Sequence, residues 1–338
     1  MADQSLDQEI SAVAEALAGQ HKILLTTHIK PDADALGSLL AMHRALTGLG
    51  KDSVMYLSDG EGMAPEYRFL RGLDQVLPEP PADYAERALC ALDCGNAERI
   101  GDGVLLEAAT TVINIDHHGD NTRFGDINLV DGSASSTAEI VYRILERMGA
   151  GIDEETAEDL YTGILVDSGR FQYSSATPAT FRVAAELIDR GVDHARVFRI
   201  IYETVPLAKT RLLCRMFARL QLACDGRLAI GVLEQDDFEQ AGAEAGMTEG
   251  LVDSLRAIEG VEASALIYRR PAREGEEPGA VQYRVSLRSS SEAVNVQALA
   301  NIMDGGGHRQ AAGFSSDKSA GELASFIIGQ VSAQLGLD

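Results

Sequence analysis

Residues 22–38 read KILLTTHIKPDADALGS. The stretch starts as an unbroken apolar run, turns polar at His28, and takes up helical spacing from Leu36 to the glycine at Gly48. A short apolar run without alternation is a strand buried on both faces, as in parallel sheets. Glycine after the last periodic residue is a helix stop. The stretch predicts a strand over Lys22–His28, a loop carrying His28, Asp32 and Asp34, and a helix over Leu36–Gly48. Ligands of open parallel sheets bind beyond the carboxyl ends of strands, which is where this loop falls.

The same unit recurs outward from that stretch. Asp52–Leu57, Ala88–Asp93 and Thr111–Asp116 read as further short buried strands. Ala138–Met148, Glu154–Val166 and Pro178–Arg190 read as helices. Ser136 and Glu139 have the spacing of a capping box ahead of the first. Thr177, Pro178 and Gly191 supply cap, first-turn proline and stop for the last. Strand–helix alternation predicts an α/β fold, with an N-terminal doubly wound, mainly parallel sheet over residues 1–190. The remainder differs. Arg227–Leu233 and Val261–Arg269 read as strands, and Gln235–Ala245 as a helix. Val281, Tyr283, Val285 and Leu287 alternate with Gln282, Arg284, Ser286 and Arg288, the period of a half-exposed strand. The turn-rich PAREGEEPGA (residues 271–280) separates the last two strands. Residues 226–338 are expected to form a smaller α+β domain. Residues 191–225 are expected as a helical connector, with Arg211, Arg215 and Arg219 on one face of a helical run over Lys209–Leu222.

Charge bounds the partners. The 338 residues contain 29 Lys+Arg and 52 Asp+Glu, a formal net charge of -23. Residues 1–190 carry net -18, residues 191–225 net +3 and residues 226–338 net -8. Long duplex DNA tracked by a basic face is excluded, because that binding mode needs cations to displace counterions. Docking on anionic membranes is excluded for the same reason. No stretch reaches 18 consecutive apolar residues, and MADQSLDQEI is not a signal peptide. Cys90, Cys94, Cys214 and Cys224 form no CxxC pair, so a cytoplasmic protein with reduced thiols is expected.

Four clusters of Asp and His follow apolar elements: residues 27–34 (THIKPDAD), 92–95 (LDCG), 115–118 (IDHH) and 165–169 (LVDSG). A single Asp after a strand is more often a cap or turn residue. Four at successive element ends are hard to explain as caps, and buried carboxylates repel one another without cations. Carboxylate and imidazole without thiolate suit Mn²⁺ or Mg²⁺. His28, Asp32, Asp34, Asp93, His117 and Asp167 supply six ligands, enough for two divalent cations sharing a carboxylate. Pro31 stiffens the turn between His28 and Asp32. In the second domain, Gly305, Gly306 and Gly307 read as a Gly-rich turn whose amides can approach an anion. His308 and Arg288 add donors suited to phosphate; Arg284 and Arg309 read equally well as solvated charges.

HIKPDADALGS, LDCGN, IDHH and GILVDSGRF resemble the four signature motifs of the DHH phosphoesterase superfamily. SLRS (Ser286–Ser289) and GGGHRQAAG (Gly305–Gly313) resemble its associated C-terminal domain. FGDINLVDGSASSTAEIVY and GILVDSGRFQYSSATPATFRVAAELI are similar to the stand-alone nanoRNase/pAp phosphatases, the bifunctional oligoribonucleases. The resemblance implies that His28 and Asp32 hold one metal, that Asp34, His117 and Asp167 hold the other, and that Asp93 bridges them. It implies that Asp116 orients an imidazole and that His118 faces the scissile phosphate. It also implies a homodimer.

The expected activity is two-metal hydrolysis of short oligoribonucleotides (nanoRNA) to nucleoside 5′-monophosphates, and of pAp to AMP. Two divalent cations are expected, Mn²⁺ ahead of Mg²⁺. A cyclic or linear dinucleotide phosphodiesterase acting on c-di-AMP or pApA is the alternative. A membrane-anchored form is disfavoured, since no anchor precedes residue 20. Inorganic pyrophosphatase fits the GGGH loop less well. A nucleotide sensor without turnover is disfavoured because no motif lacks an Asp or His.

Overall fold

The computed structural model describes residues 2–58, 65–269 and 283–337. They fall into two compact units, one ending at Thr204 and one beginning at Val205.

The first unit opens with α1 (Ala2–Gly19), β1 (Lys22–Thr26), α2 (Ala33–Gly48), β2 (Asp52–Met55) and β3 (Ala88–Leu92). It continues with α3 (Gly103–Ala108), β4 (Val112–Asp116), β5 (Ile127–Val130), α4 (Thr137–Met148), α5 (Glu154–Asp167), α6 (Pro178–Asp189) and α7 (His194–Phe198). The sheet order is β2-β1-β3-β4-β5, and every pairing is parallel. The chain leaves β1 towards one edge and returns beside it as β3, so a topological switch point lies between these two strands. Side chains alternate between two cores. Ile23, Leu25, Cys90 and Leu92 join α1, α2, α4 and α5. Leu24, Leu89 and Ala91 face Ile100 and Leu105 on the other side. Burial on both faces is why these strands are apolar throughout.

α2 and α5 approach closely because glycines face the contact. A Cβ at Gly37 would lie 2.3 Å from Asp159 O of α5, and one at Gly163 would lie 3.2 Å from Asp34 Cα of α2. α2 starts at Ala33, ahead of the expected Leu36, because Asp32 Oδ1 accepts the amides of Asp34 (3.0 Å) and Ala35 (3.1 Å). Ser136 caps α4 through the Glu139 amide at 3.1 Å. The Glu139 carboxylate does not return to Ser136 as a capping box would. It takes Ser135 N (3.1 Å), Ser135 Oγ (2.7 Å), Thr180 Oγ1 (2.8 Å) and Arg143. A fully buried carboxylate needs more partners than a cap offers.

The expected connector is divided between the units. Residues 191–204, with α7, belong to the first. α8 (Leu207–Ala218) belongs to the second, where Leu212 and Met216 are buried in its core. That helix stops at Ala218, short of the expected Leu222, and the chain pairs as β6 (Gln221–Ala223) instead. β7 (Leu228–Leu233), α9 (Gln235–Ala241), α10 (Leu251–Arg256), β8 (Ala263–Arg269) and β9 (Tyr283–Ser289) follow. The unit closes with α11 (Val296–Asn301), β10 (Gly306–His308), β11 (Ala311–Ser316) and α12 (Ala320–Leu335).

The strand order is β10-β11-β9-β8-β7-β6, with β7 and β8 parallel and the other pairs antiparallel. α11 and α12 cover one face. α8, α9 and α10 cover part of the other. The period-two reading holds over β9, where Tyr283, Val285 and Leu287 are buried between more exposed Arg284, Ser286 and Arg288. Residues 271–280, Val281 and Gln282 lie outside the described residues. The basic stripe on α8 is not simply solvated: Arg215 (3.5 Å) and Arg219 both pair with the buried Asp237 of α9.

Candidate metal centre

Every element that carries a predicted ligand ends at one place. His28 follows β1, Asp32 and Asp34 stand at the start of α2, Asp93 follows β3, and Asp116–His118 complete and follow β4. Asp167 is the last residue of α5. The ligand atoms fall into overlapping groups, each within 4.8 Å: His28, Asp32 and Asp93; Asp34, His117 and Asp167; and Asp93, Asp116, His117 and His118.

Individual side chains are held in defined orientations. His28 Nδ1 lies 2.8 Å from Ile29 O, which places the proton there and turns Nε2 towards Asp93 Oδ2 at 3.5 Å. A ring nitrogen that donates to a carbonyl while the other faces the centre is the usual arrangement of a metal-binding histidine. His117 Nε2 sits among three carboxylates, 3.3 Å from Asp167 Oδ2, 3.6 Å from Asp93 Oδ1 and 4.0 Å from Asp34 Oδ2. Asp93 has φ +58, a left-handed conformation that an aspartate tolerates better than most residues and that clusters at functional sites. Asp32 both caps α2 and belongs to a ligand group, since one oxygen caps and a carboxylate has two.

Burial is the main force raising the Asp34 carboxyl well above its ordinary range, with the charges of Asp93, Asp167 and Asp32 adding to it. Burial likewise pushes Asp167 up to about 6. For Asp93, burial pushes up, but the hydrogen bond from His28 and the charges of the histidines outweigh it and hold the carboxyl low. Repelling carboxylates out of water, faced by imidazole nitrogens, are what divalent cations would relieve. At the end of β1 the buried hydroxyls of Thr26 and Thr27 have no hydrogen-bond partner among the described residues. Cys94, beside Asp93, is no competitor for a cation: burial pushes its thiol far up, and Sγ donates to Leu92 O at 3.4 Å.

Asp116 is fully buried and turns outward through its neighbours. Oδ1 accepts the His117 amide and faces His118 Nδ1, both at 2.8 Å. Oδ2 accepts from Asn121 Nδ2 at 2.5 Å. The hydrogen bond to Asp116 is the largest cause of a His118 pKa of about 9. His118 is about one-third exposed.

Sequence reasoning missed several supports. Thr137 Oγ1 donates to Asp93 Oδ1 at 2.9 Å. Asn121 and Asn114 tie Asp116 to Cys94 O. A fully buried asparagine inside the apolar run VINID was a readable signal for the latter. Nothing in the spacing marked Thr137 beyond its place near a cap.

In the second unit, Gly305–Gly307 is not a free turn. β10 pairs with β11, Gly307 opposite Ala312. A Cβ at Gly305 would lie 2.4 Å from Gly313 O, and one at Gly307, where φ is +135, 2.4 Å from Ala311 O. The hairpin itself therefore demands glycine at both. Gly306 faces open space. Arg288 is partly exposed, donates Nη1 to Leu287 O at 3.0 Å, and lies 3.6 Å from Asp253. Arg309 pairs with Glu292 at 3.2 Å. The His308 side chain lies outside the described residues.

The fold and these motifs define a two-domain class: residues 22–164 match the DHH family, N-terminal domain, and residues 225–332 match the DHHA1 domain. The chain is 36% identical over 313 residues to the bifunctional oligoribonuclease and PAP phosphatase NrnA of Thermus thermophilus, covering 90% of this chain and 88% of that protein. It is 31% identical over 296 residues to the NrnA of Bacillus subtilis, covering 87% and 88%. A solved exopolyphosphatase-related protein of Bacteroides fragilis shares the fold, with TM-score 0.87, 24% identity and 98% of each chain covered. This chain belongs to the NrnA group of the DHH family. Among the described residues, no helix is long and apolar enough to cross a membrane.

Proposed function

We propose that this chain hydrolyses short oligoribonucleotides to nucleoside 5′-monophosphates and removes the 3′-phosphate of pAp to give AMP, at a centre for two divalent cations. The observation that supports this most directly is the pair of three-residue groups, His28–Asp32–Asp93 and Asp34–His117–Asp167, with Asp93 within reach of both. His28 and Asp32 hold one cation, Asp34, His117 and Asp167 the other, and Asp93 is shared. Bound there, the cations supply Lewis acidity that activates water and neutralises charge on the phosphoryl group. Their identity is proposed as Mn²⁺, with Mg²⁺ second, from the oxygen–imidazole donor set.

The protein's own groups then position and donate. Asp116 holds the Nδ1 proton of His118, so Nε2 is the free end of the ring. The bond to Asp116 raises the pKa of that ring to about 9, and a proton on Nε2 would be donated to a non-bridging phosphoryl oxygen or to the leaving oxygen. Arg288 and the Gly306 amide are proposed to bind the nucleotide portion that is not cleaved, and His308 to join them. Gly305 and Gly307 serve that role indirectly, by shaping the hairpin. The protein is proposed to be cytoplasmic, as its free thiols suggest, and homodimeric, as the family resemblance implies.

The test is a four-substrate comparison with Mn²⁺ and with Mg²⁺: pAp, a five-nucleotide RNA, c-di-AMP and pyrophosphate, with products quantified. Turnover of pAp and the RNA ahead of the others is expected. Fastest turnover of c-di-AMP would make it a cyclic-dinucleotide phosphodiesterase, and cleavage of pyrophosphate alone would sink the reading.

A further inference from the structure

Thr137 is the first residue of α4, directly after the Ser136 cap. It touches two different carboxylates. Its Oγ1 donates to Asp93 Oδ1 at 2.9 Å, and its amide donates to Asp34 Oδ2 at 2.7 Å. The next amide, Ala138 N, donates to Asp34 Oδ1 at 2.8 Å. Thr137, Asp34 and Asp93 are all buried. Asp93 belongs to the group with His28 and Asp32, and Asp34 to the group with His117 and Asp167.

We propose that Thr137 is a positioning residue that sets the two metal positions relative to each other, by tying one carboxylate from each to the same helix N-terminus. This rests on the two-cation reading above. A carboxylate offers about four lone-pair directions, and a fixed donor decides which remain for a cation. Asp34 is held at both oxygens by amides of α4, where the positive end of the helix favours an anion. It is backed by Gly163, where an added Cβ would lie 2.9 Å from Asp34 Oδ1. Asp93 stands just past β3 with its amide still bonded to Ile115 O at 2.9 Å, and its positive φ turns the side chain out of the strand's alternation. The hydroxyl of Thr137 is the contact that links its orientation to the one that holds Asp34. Ligand-orienting partners of this kind change metal affinity about 10–100-fold when removed.

The experiment is a calorimetric titration of the metal-free full-length protein with Mn²⁺, with the free-ion signal followed by electron paramagnetic resonance. Thr137→Val keeps the shape and the amide but removes the hydroxyl. Mn²⁺ binding is expected to weaken about 10–100-fold, while Thr137→Ser, which restores the donor, stays within about threefold of wild type. A purely structural residue would lower the melting temperature in circular dichroism without moving the isotherm. A Thr137→Val isotherm superimposed on that of the wild type overturns the proposal and leaves the metal centre standing. Where the valine variant does not fold, Thr137→Ala repeats the measurement without added bulk, and wild-type affinity there overturns the proposal equally. A wild-type protein that binds no Mn²⁺ overturns both readings, so the two failures are distinguishable.

Discussion

β1, β3 and β4 of the first unit run into His28, Asp93 and Asp116–His118, whereas in the second β9 carries Arg288 along its length and the β10–β11 hairpin carries Gly306 and Gly307, with Gly305 just ahead of it. In the first case the candidate chemistry is made of side chains that burial ought to exclude, and the fold tolerates them because they face one another. In the second, two of the three glycines have a complete explanation in backbone sterics. Buried ionisable groups are costly enough to require a reason, while a glycine meets its requirement as soon as two backbones come close. The first unit can therefore be tested by removing charge, and the second mostly by adding atoms.

The largest effect belongs to Asp93. Asp93→Asn keeps the size and tolerates φ +58, but removes the charge that both ligand groups face. Turnover of every substrate is expected to fall by roughly 10³-fold or more, equivalent to about 4 kcal/mol of transition-state stabilisation. Steady-state assays on pAp and RNA check this. Retained activity would remove Asp93 from the centre and erase the contrast between the units.

How much of this was legible follows the same division. The strand runs were readable because burial on two faces leaves an uninterrupted apolar string. Their ends were not: the predicted Lys22–His28 stops at Thr26, where the chain turns so that His28 can face the centre. β5 escaped because INLV is four residues long and only Leu129 is buried. Asp32 was read as a ligand against the alternative of a helix cap, and the structure shows it capping α2 while lying in a candidate ligand group. The candidate ligand residues were visible as residue types at element ends. Their orienting partners Thr137 and Asn121 were not, because a threonine beside a cap and an asparagine in a loop are ordinary until a fold brings them to a carboxylate. The GGGH segment was misread as a turn, since glycines demanded by cross-strand approach look the same in sequence as glycines demanded by a ligand.

A pair of glycine substitutions sharpens the comparison. Gly163→Ala puts a methyl 2.8 Å from Ala138 Cβ and 2.9 Å from Asp34 Oδ1. Overpacking of this kind costs about 1–3 kcal/mol, and here it also pushes on a proposed ligand. Gly307→Ala puts one 2.4 Å from Ala311 O at φ +135, with strain of a similar ~1–3 kcal/mol. Both variants should unfold at lower denaturant, but only Gly163→Ala should weaken Mn²⁺ binding. Equal loss of metal affinity in both would mean that the hairpin glycines serve the centre and not merely their own sheet.

The smallest expected effect, and the finest discriminator, is Arg288→Ala. Its guanidinium is already engaged with Leu287 O and approaches Asp253, and it is partly exposed, so any bond to a substrate phosphate is screened. A charge-assisted hydrogen bond lost under those conditions lies at the low end of its usual range, about 1.5 kcal/mol, or roughly tenfold in kcat/KM. The loss should appear with pAp and RNA and be absent with a small generic phosphodiester such as bis-p-nitrophenyl phosphate, with Mn²⁺ affinity unchanged in both cases. Equal losses on all substrates would assign Arg288 to the integrity of β9. A substrate-selective loss would place recognition in the second unit, through a side chain that its half-exposed strand leaves on the polar face.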